Sequence, residues 1–224
     1  MNYYSVAIDG PSGAGKSTFA KMLASELGFL YVDTGAIYRT VGLYARKNNV
    51  EPTDGPAVTA LLDSIQIDMN YGEDGLQHMF LNGEDVTTDI RQHEISAYAS
   101  AVSAIPEVRA FLLDMQRSFA RTNNVVMDGR DIGTVVLPDA QIKIFLTAAP
   151  EERARRRYLE LIAKGENTTE QEVYEAMKAR DLQDSTREIA PLKPADDAEL
   201  VDNSNMTYEE TFNYIYNKVK DAVL

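Results

Sequence analysis

Residues 3 to 18 read YYSVAIDGPSGAGKST, a short apolar run that breaks into a glycine-rich loop and then into a helix-like pattern. Gly10 and Gly15 bracket four residues in G-x-x-x-x-G-K-S, the spacing at which main-chain N–H groups curl around phosphate oxygens with no side chain in the way. The motif requires a strand before it and a helix after it, so this opening commits the chain to an α/β architecture. Gly10, Pro11, Ser12, Gly13, Ala14, Gly15, Lys16, Ser17 and Thr18 are therefore expected to cradle a nucleoside triphosphate. Lys16 is placed to meet the β- and γ-phosphates, and the loop spacing favours Ser17 over Thr18 as the hydroxyl offered to Mg²⁺. The partial positive end of the following helix points at the same anion.

The rest of the chain continues the alternation. Five segments read as strands, residues 3 to 9, 29 to 33, 124 to 128, 141 to 147 and 198 to 202, with helical patterns between them. Continuous apolar runs such as Val125-Val126-Met127 predict a parallel sheet covered by helices on both faces. Pro106 stands at a first helical position, and Thr207-x-x-Glu210 has the form of a capping box before an apolar stripe of Phe212, Ile215, Tyr216, Val219 and Val223. One stretch breaks the rhythm. Ile65, Ile67 and Met69 alternate, a Tyr71–Gly75 turn follows, and Leu76 to Leu81 runs out to Asn82-Gly83, which predicts a small antiparallel sheet. The expectation is one domain with a core of residues 1–61 and 91–224 and a β-rich insert at about 62–90, which serves equally well as a scaffold decoration or a flap over substrate.

Composition removes several chemistries. The chain has no cysteine, and His78 and His93 are its only histidines, so zinc sites and histidine-based triads are not expected. No apolar stretch approaches the ~18 residues that span a bilayer, and the N-terminus lacks a charged region ahead of a signal-type core, so the expected location is the cytoplasm, away from membranes. A formal charge of −13 argues against nucleic acid as a partner. Yet ten of the thirteen arginines fall between Arg109 and Arg187, a concentration suited to a small, multiply charged ligand.

Four charged groups could serve such a ligand. Asp128 ends a buried strand, where open α/β sheets gather their ligands, and is the candidate for orienting the Mg²⁺ shell. Asp33-Thr34-Gly35-Ala36-Ile37-Tyr38-Arg39 opens just past another strand. In Glu151–Arg157, helical spacing puts Arg153, Arg156 and Arg157 on one face. In Arg180–Arg187, Arg180, Asp184 and Arg187 recur at i, i+4 and i+7. A guanine-reading N-K-x-D segment is missing, since Asn217-Lys218-Val219-Lys220 lacks the aspartate, and phosphoryl transfer between two anions fits these groups better. If the acceptor is a phosphate, with a second pKa near 6, it needs no general base.

These blocks together, GPSGAGKST at 10–18, DTGAIYR at 33–39 and DGRDIGT at 128–134, resemble the bacterial cytidylate kinases over nearly the whole chain. The resemblance implies a three-layer fold with a five-stranded parallel sheet and a small antiparallel insert, and a short lid at about 153–168. It implies transfer of a phosphoryl group from ATP to CMP or dCMP with Mg²⁺, UMP being at most a weak acceptor, by a protein expected to be a monomer. Carried over by position, the base pocket falls on Ser100, Arg109 and Asp131, the ribose contacts on Arg180 and Asp184, and the acceptor-phosphate clamp on Arg39, Arg130 and Arg187. Thr34 and Tyr38 line the same pocket. Lys16, Arg130 and Arg187 are the expected catalytic cations, joined by Arg153 and Arg157 where the lid begins. Thr34 stands where many relatives have serine, and Ser17 where some have glycine; both keep a hydroxyl. Two rivals remain: a shikimate-type kinase using Asp33 or Asp131 as a base toward a hydroxyl acceptor, and a non-catalytic nucleotide-binding switch, which would be expected to lose the acceptor-side arginines.

Overall fold

A computed structural model describes residues 3–72, 75–92 and 94–223. It divides into two compact units, Met1–Tyr31 with Ala120–Leu224, and Val32–Phe119.

The first unit is built on β1 (Ser5–Asp9), whose five residues are all buried. β1 pairs in parallel with β6 (Val125–Gly129) on one side and β7 (Ile142–Thr147) on the other, and β7 pairs in parallel with β8 (Glu199–Asp202). With β2 (Leu30–Asp33) at the far edge, the sheet order is β2-β6-β1-β7-β8, so β1 is central and its neighbours lie far away in sequence. The five strands begin and end within two residues of the expected segments. α1 (Lys16–Leu27) follows β1 and ends at Gly28, whose φ of 65° lets its N–H turn back to the carbonyls of Ala24 and Ser25. α6 (Pro150–Ala163), α7 (Glu170–Thr186) and α8 (Tyr208–Val223) complete the unit. The capping box at Thr207 and Glu210 forms as its spacing predicts, and a second one at Thr169 and Glu172 starts α7. Val6, Ile8, Phe19, Leu23, Val126, Ile144, Leu146, Ile215 and Val219 form the apolar core against the sheet.

The second unit contains α2 (Thr34–Lys47), α3 (Gly55–Leu61), β3 (Ile67–Tyr71), β4 (Gln77–Leu81), β5 (Glu84–Asp85), α4 (Ile95–Val102) and most of α5 (Pro106–Thr122). β3 and β4 are antiparallel with Ile67 opposite Leu81, and β4 turns into β5. Asn82 and Gly83 both take positive φ, 50° and 84°, as a two-residue hairpin requires. In the expected Tyr71–Gly75 turn, Glu73 and Asp74 lie outside the described residues, as does His93. The period-two pattern sends Ile65, Ile67, Met79 and Leu81 into the same core as Ile37, Val41, Val58, Ile95, Val108 and Leu112. α2 and α4 meet at Gly42, where an added Cβ would stand 2.9 Å from the Cβ of Tyr98, so the absence of a side chain sets that close approach.

Candidate active site

The loop between β1 and α1 has the conformation its glycines allow. Gly10, Gly13 and Gly15 have φ of 147°, 75° and 90°, and a Cβ on Gly10 would lie 2.0 Å from the carbonyl oxygen of Leu146. The carbonyls of the loop are held by side chains. Lys16 Nζ donates to Pro11 at 2.7 Å, Arg153 Nη1 to Ser12 at 3.1 Å, and the buried Asn203 Nδ2 to Ala14 at 3.1 Å. Carbonyls engaged in this way leave the loop amides as the groups able to meet an anion.

Arg153 and Asn203 are themselves braced. Arg153 also donates to the Ala148 carbonyl and to Asp181 Oδ2, at 2.6 Å, while Asp181 Oδ1 is buried with no hydrogen-bond partner among the described residues. Arg156 grips Asn203 at both its side-chain and main-chain oxygens. Of the arginines expected where a lid begins, Arg153 is thus buried against the loop, Arg156 reaches it through Asn203, and Arg157 pairs with Glu160 at 2.8 Å.

The charges around Lys16 are crowded. Its ammonium is held well below the ordinary lysine range, first by burial and then by the positive charges of Arg130 and Arg180, with Asp128 and Asp9 acting in the opposite sense. Such a group of cations is relieved by an incoming anion. Asp128, at the carboxyl end of β6, accepts from the Tyr31 hydroxyl at 2.8 Å. Ser17 lies exposed in the first turn of α1. A carboxylate and a hydroxyl are both hard oxygen donors, the chemistry that suits Mg²⁺, which takes few protein ligands beside phosphates and water.

Beyond β6, three arginines gather on one buried carboxylate. Asp184 receives Arg130 Nε at 3.0 Å and lies 3.9 Å from both Arg180 Nε and Arg187 Nη1. Arg187 Nη2 is also 3.5 Å from Asp131 Oδ1. The sequence spacing of Arg180, Asp184 and Arg187 therefore does bring them together, and adds Arg130 and Asp131 from a distant segment.

The second unit assembles the other expected residues. Asp33 caps α2 by accepting from Ala36 N, and its other oxygen takes Arg39 Nη2 at 2.7 Å. Arg39 Nε is buried and has no hydrogen-bond partner among the described residues. The Arg109 guanidinium lies 5.6 Å from the centre of the Tyr38 ring and donates to the Ser103 carbonyl, one turn past the buried Ser100. Thr34 is buried at the start of α2. Gln77 of β4 accepts from Asp33 N and donates to Asp33 O, so the antiparallel sheet holds the first residue of this segment at both of its main-chain groups.

Sequence reasoning missed Asp9, Gln77 and Asn203. Asp9 carried a signal, a carboxylate at the end of an otherwise apolar strand. Gln77 and Asn203 carried none, because their partners are 44 and 189 residues away.

Residues 6–221 match the family model described as cytidylate kinase. The chain is 50% identical to a cytidylate kinase of Caldicellulosiruptor bescii over 227 aligned residues, covering 100% of both chains. It is 48% identical to a cytidylate kinase of Pelotomaculum thermopropionicum, over 98% of this chain and 97% of that one. Among solved structures, an uncharacterized protein from Eubacterium ventriosum aligns with a TM-score of 0.51 at 14% identity over 97% of this chain and 98% of that one, a likeness of fold alone.

Proposed function

This chain belongs to the cytidylate kinase family, and from that membership we infer that it transfers the γ-phosphoryl group of ATP to CMP or dCMP, giving ADP and CDP or dCDP. The observation that carries the residue-level reading is the cluster of Arg130, Arg180 and Arg187 around the buried Asp184, within electrostatic reach of Lys16 at the nucleotide loop. ATP lays its phosphates on the loop amides, and Lys16 exchanges the Pro11 carbonyl for phosphate oxygens. Arg39, Arg130 and Arg187 neutralise the acceptor phosphate, whose oxygen is already ionised near neutral pH and attacks without a protein base. Arg180 and Asp184 serve the ribose. To recognition of the base this reading assigns Thr34, Tyr38, Ser100, Arg109 and Asp131, with the Asp131 carboxylate accepting from the cytosine amino group and Arg109 donating to the ring acceptors. Uracil reverses both polarities, so UMP meets repulsion as well as lost hydrogen bonds.

Ser17 and Asp128 are the residues that would hold Mg²⁺, which when bound supplies charge neutralisation at the triphosphate. In this reading Arg153 acts chiefly by holding the loop, and Arg157, tied to Glu160, is the arginine able to swing toward the transferring phosphoryl group. The same reading makes the protein a cytoplasmic monomer without a nucleic-acid partner. No described helix is long and apolar enough to cross a membrane.

The test is a coupled ADP-formation assay with CMP, dCMP, UMP, AMP and shikimate as separate acceptors. Turnover with CMP and dCMP well above the others is expected. Turnover with shikimate and none with CMP would replace the phosphate acceptor by a hydroxyl.

A further inference from the structure

Asp9 is the last residue of β1 and is 4% exposed. Its carboxylate points across the sheet rather than into the nucleotide loop, accepting from Ile132 N at 2.8 Å and Gly133 N at 2.7 Å. Those two amides begin a short π-helical turn, Ile132–Val136, that follows directly on Arg130 and Asp131. The first amides of any helical turn have no partner within it and need a cap. The residue at the capping position is Asp131, a side chain well suited to that role, yet it makes no capping bond. Its main-chain carbonyl accepts from Val135 and Val136, while its carboxylate lies toward Arg187.

We propose that Asp9 is a positioning residue for the acceptor site: by capping the 132–136 turn from the neighbouring strand, it releases Asp131 from that duty and holds its carboxylate toward the acceptor. The inference rests on the reading of Asp131 as the group that recognises cytosine. Two further observations support it. Both oxygens of Asp9 are occupied by amides, so it is not placed as a base. Burial raises the Asp9 carboxyl to about 6 despite the two amide bonds, so the fold retains a costly ionised group where an amide side chain would be easier to bury. Asp9 also joins the two halves of the reaction, since it ends the strand that enters the nucleotide loop and fixes the turn that presents Arg130 and Asp131.

The experiment compares Asp9→Asn, Asp9→Ala, Asp131→Ala and the Asp9→Ala/Asp131→Ala double variant, each checked for melting temperature. Asn keeps the shape of Asp but offers only one acceptor, so one of the two caps is lost. For both Asp9 variants the KM for CMP should rise roughly tenfold, the effect of one charge-assisted hydrogen bond. The KM for ATP should stay within about twofold, and the CMP-to-UMP ratio of kcat/KM should fall toward that of Asp131→Ala. The double variant should be no less selective than Asp131→Ala alone, because the two residues act in series. Equal changes in both KM values, or loss of melting temperature with selectivity kept, would show a structural role only and overturn the proposal. If Asp131→Ala lowers selectivity and the Asp9 variants do not, positioning fails and base reading stands; if Asp131→Ala leaves selectivity intact, both fail. Should neither Asp9 variant fold, the unaltered protein decides: CMP, but not UMP, should shift the amide resonances of Ile132 and Gly133, and amides unmoved by CMP would sink the idea.

Discussion

At the scale of single residues, the site is governed by buried charges that share partners. Asp184 is the shared counter-ion of Arg130, Arg180 and Arg187, so three guanidinium groups are gathered around one carboxylate. In the proposed reaction this positive cluster receives the acceptor phosphate. Arg130→Ala should therefore cut kcat with every nucleotide acceptor by about 10²- to 10³-fold, the loss typical of one preorganised charge-stabilising donor. Asp131→Ala should instead change the choice of base, lowering the CMP-to-UMP ratio of kcat/KM while leaving the KM for ATP close to normal; an unchanged ratio would remove Asp131 from the base pocket. Asp9 makes a third prediction, about stability. Its carboxyl moves from 3.8 to about 6 on folding, mainly through burial, so ionising it opposes the fold. That cost is fully present above about pH 6 and is relieved as pH falls toward 4, where the folded protein takes up its proton before the unfolded chain does. Asp9→Asn has no such cost. Its stability relative to the unaltered protein should thus be highest near pH 8 and decline by about 2 kcal/mol toward pH 4, read from urea midpoints across that range.

At the scale of elements, the nucleotide loop is shaped as much by its surroundings as by its own residues. Its glycines permit the fold of the loop, but Arg153 from α6 and Asn203 from the turn after β8 hold its carbonyls. Asn203→Ala would remove the side-chain donor to the Ala14 carbonyl and the side-chain acceptor of Arg156 Nη1, while Arg156 keeps the main-chain oxygen of residue 203. The expected result is a KM for ATP raised about tenfold, consistent with the loss of a buried hydrogen bond, with the KM for CMP changed far less. Equal effects on both substrates would mean that Asn203 supports the fold generally rather than the loop. The antiparallel sheet has a comparable role in the second unit. Its apolar alternation is core, and through Gln77 it fixes the first residue of the Asp33–Arg39 segment. That arrangement makes it part of the support for the candidate acceptor residues of that unit.

At the scale of the whole molecule, each unit has its own apolar cluster, one against the parallel sheet and one among α2, α4, α5 and the small antiparallel sheet. Leu112 is fully buried in the second, one turn beyond Arg109 on α5. Leu112→Ala should lower stability by about 2–5 kcal/mol, measured by denaturant unfolding, since the cavity adds to the lost transfer energy. The amino-acid sequence alone determined those features whose causes are local. Strand–glycine loop–helix order specified the anion site, apolar runs marked the five strands to within two residues, Thr207 and Glu210 announced their helix, and Asn82-Gly83 marked the hairpin. It also put Arg180 and Asp184 one turn apart on α7, with Arg187 just past the end of that helix. Tertiary structure decided which distant groups meet them: that Arg130 joins Asp184 across 54 residues, that Asn203 holds Ala14 across 189, and that Asp9 rather than Asp131 caps the turn at Ile132. The physical reason is that turn, cap and periodicity signals arise from neighbours along the chain, whereas a buried polar atom takes whichever partner the packed sheet brings within hydrogen-bonding distance.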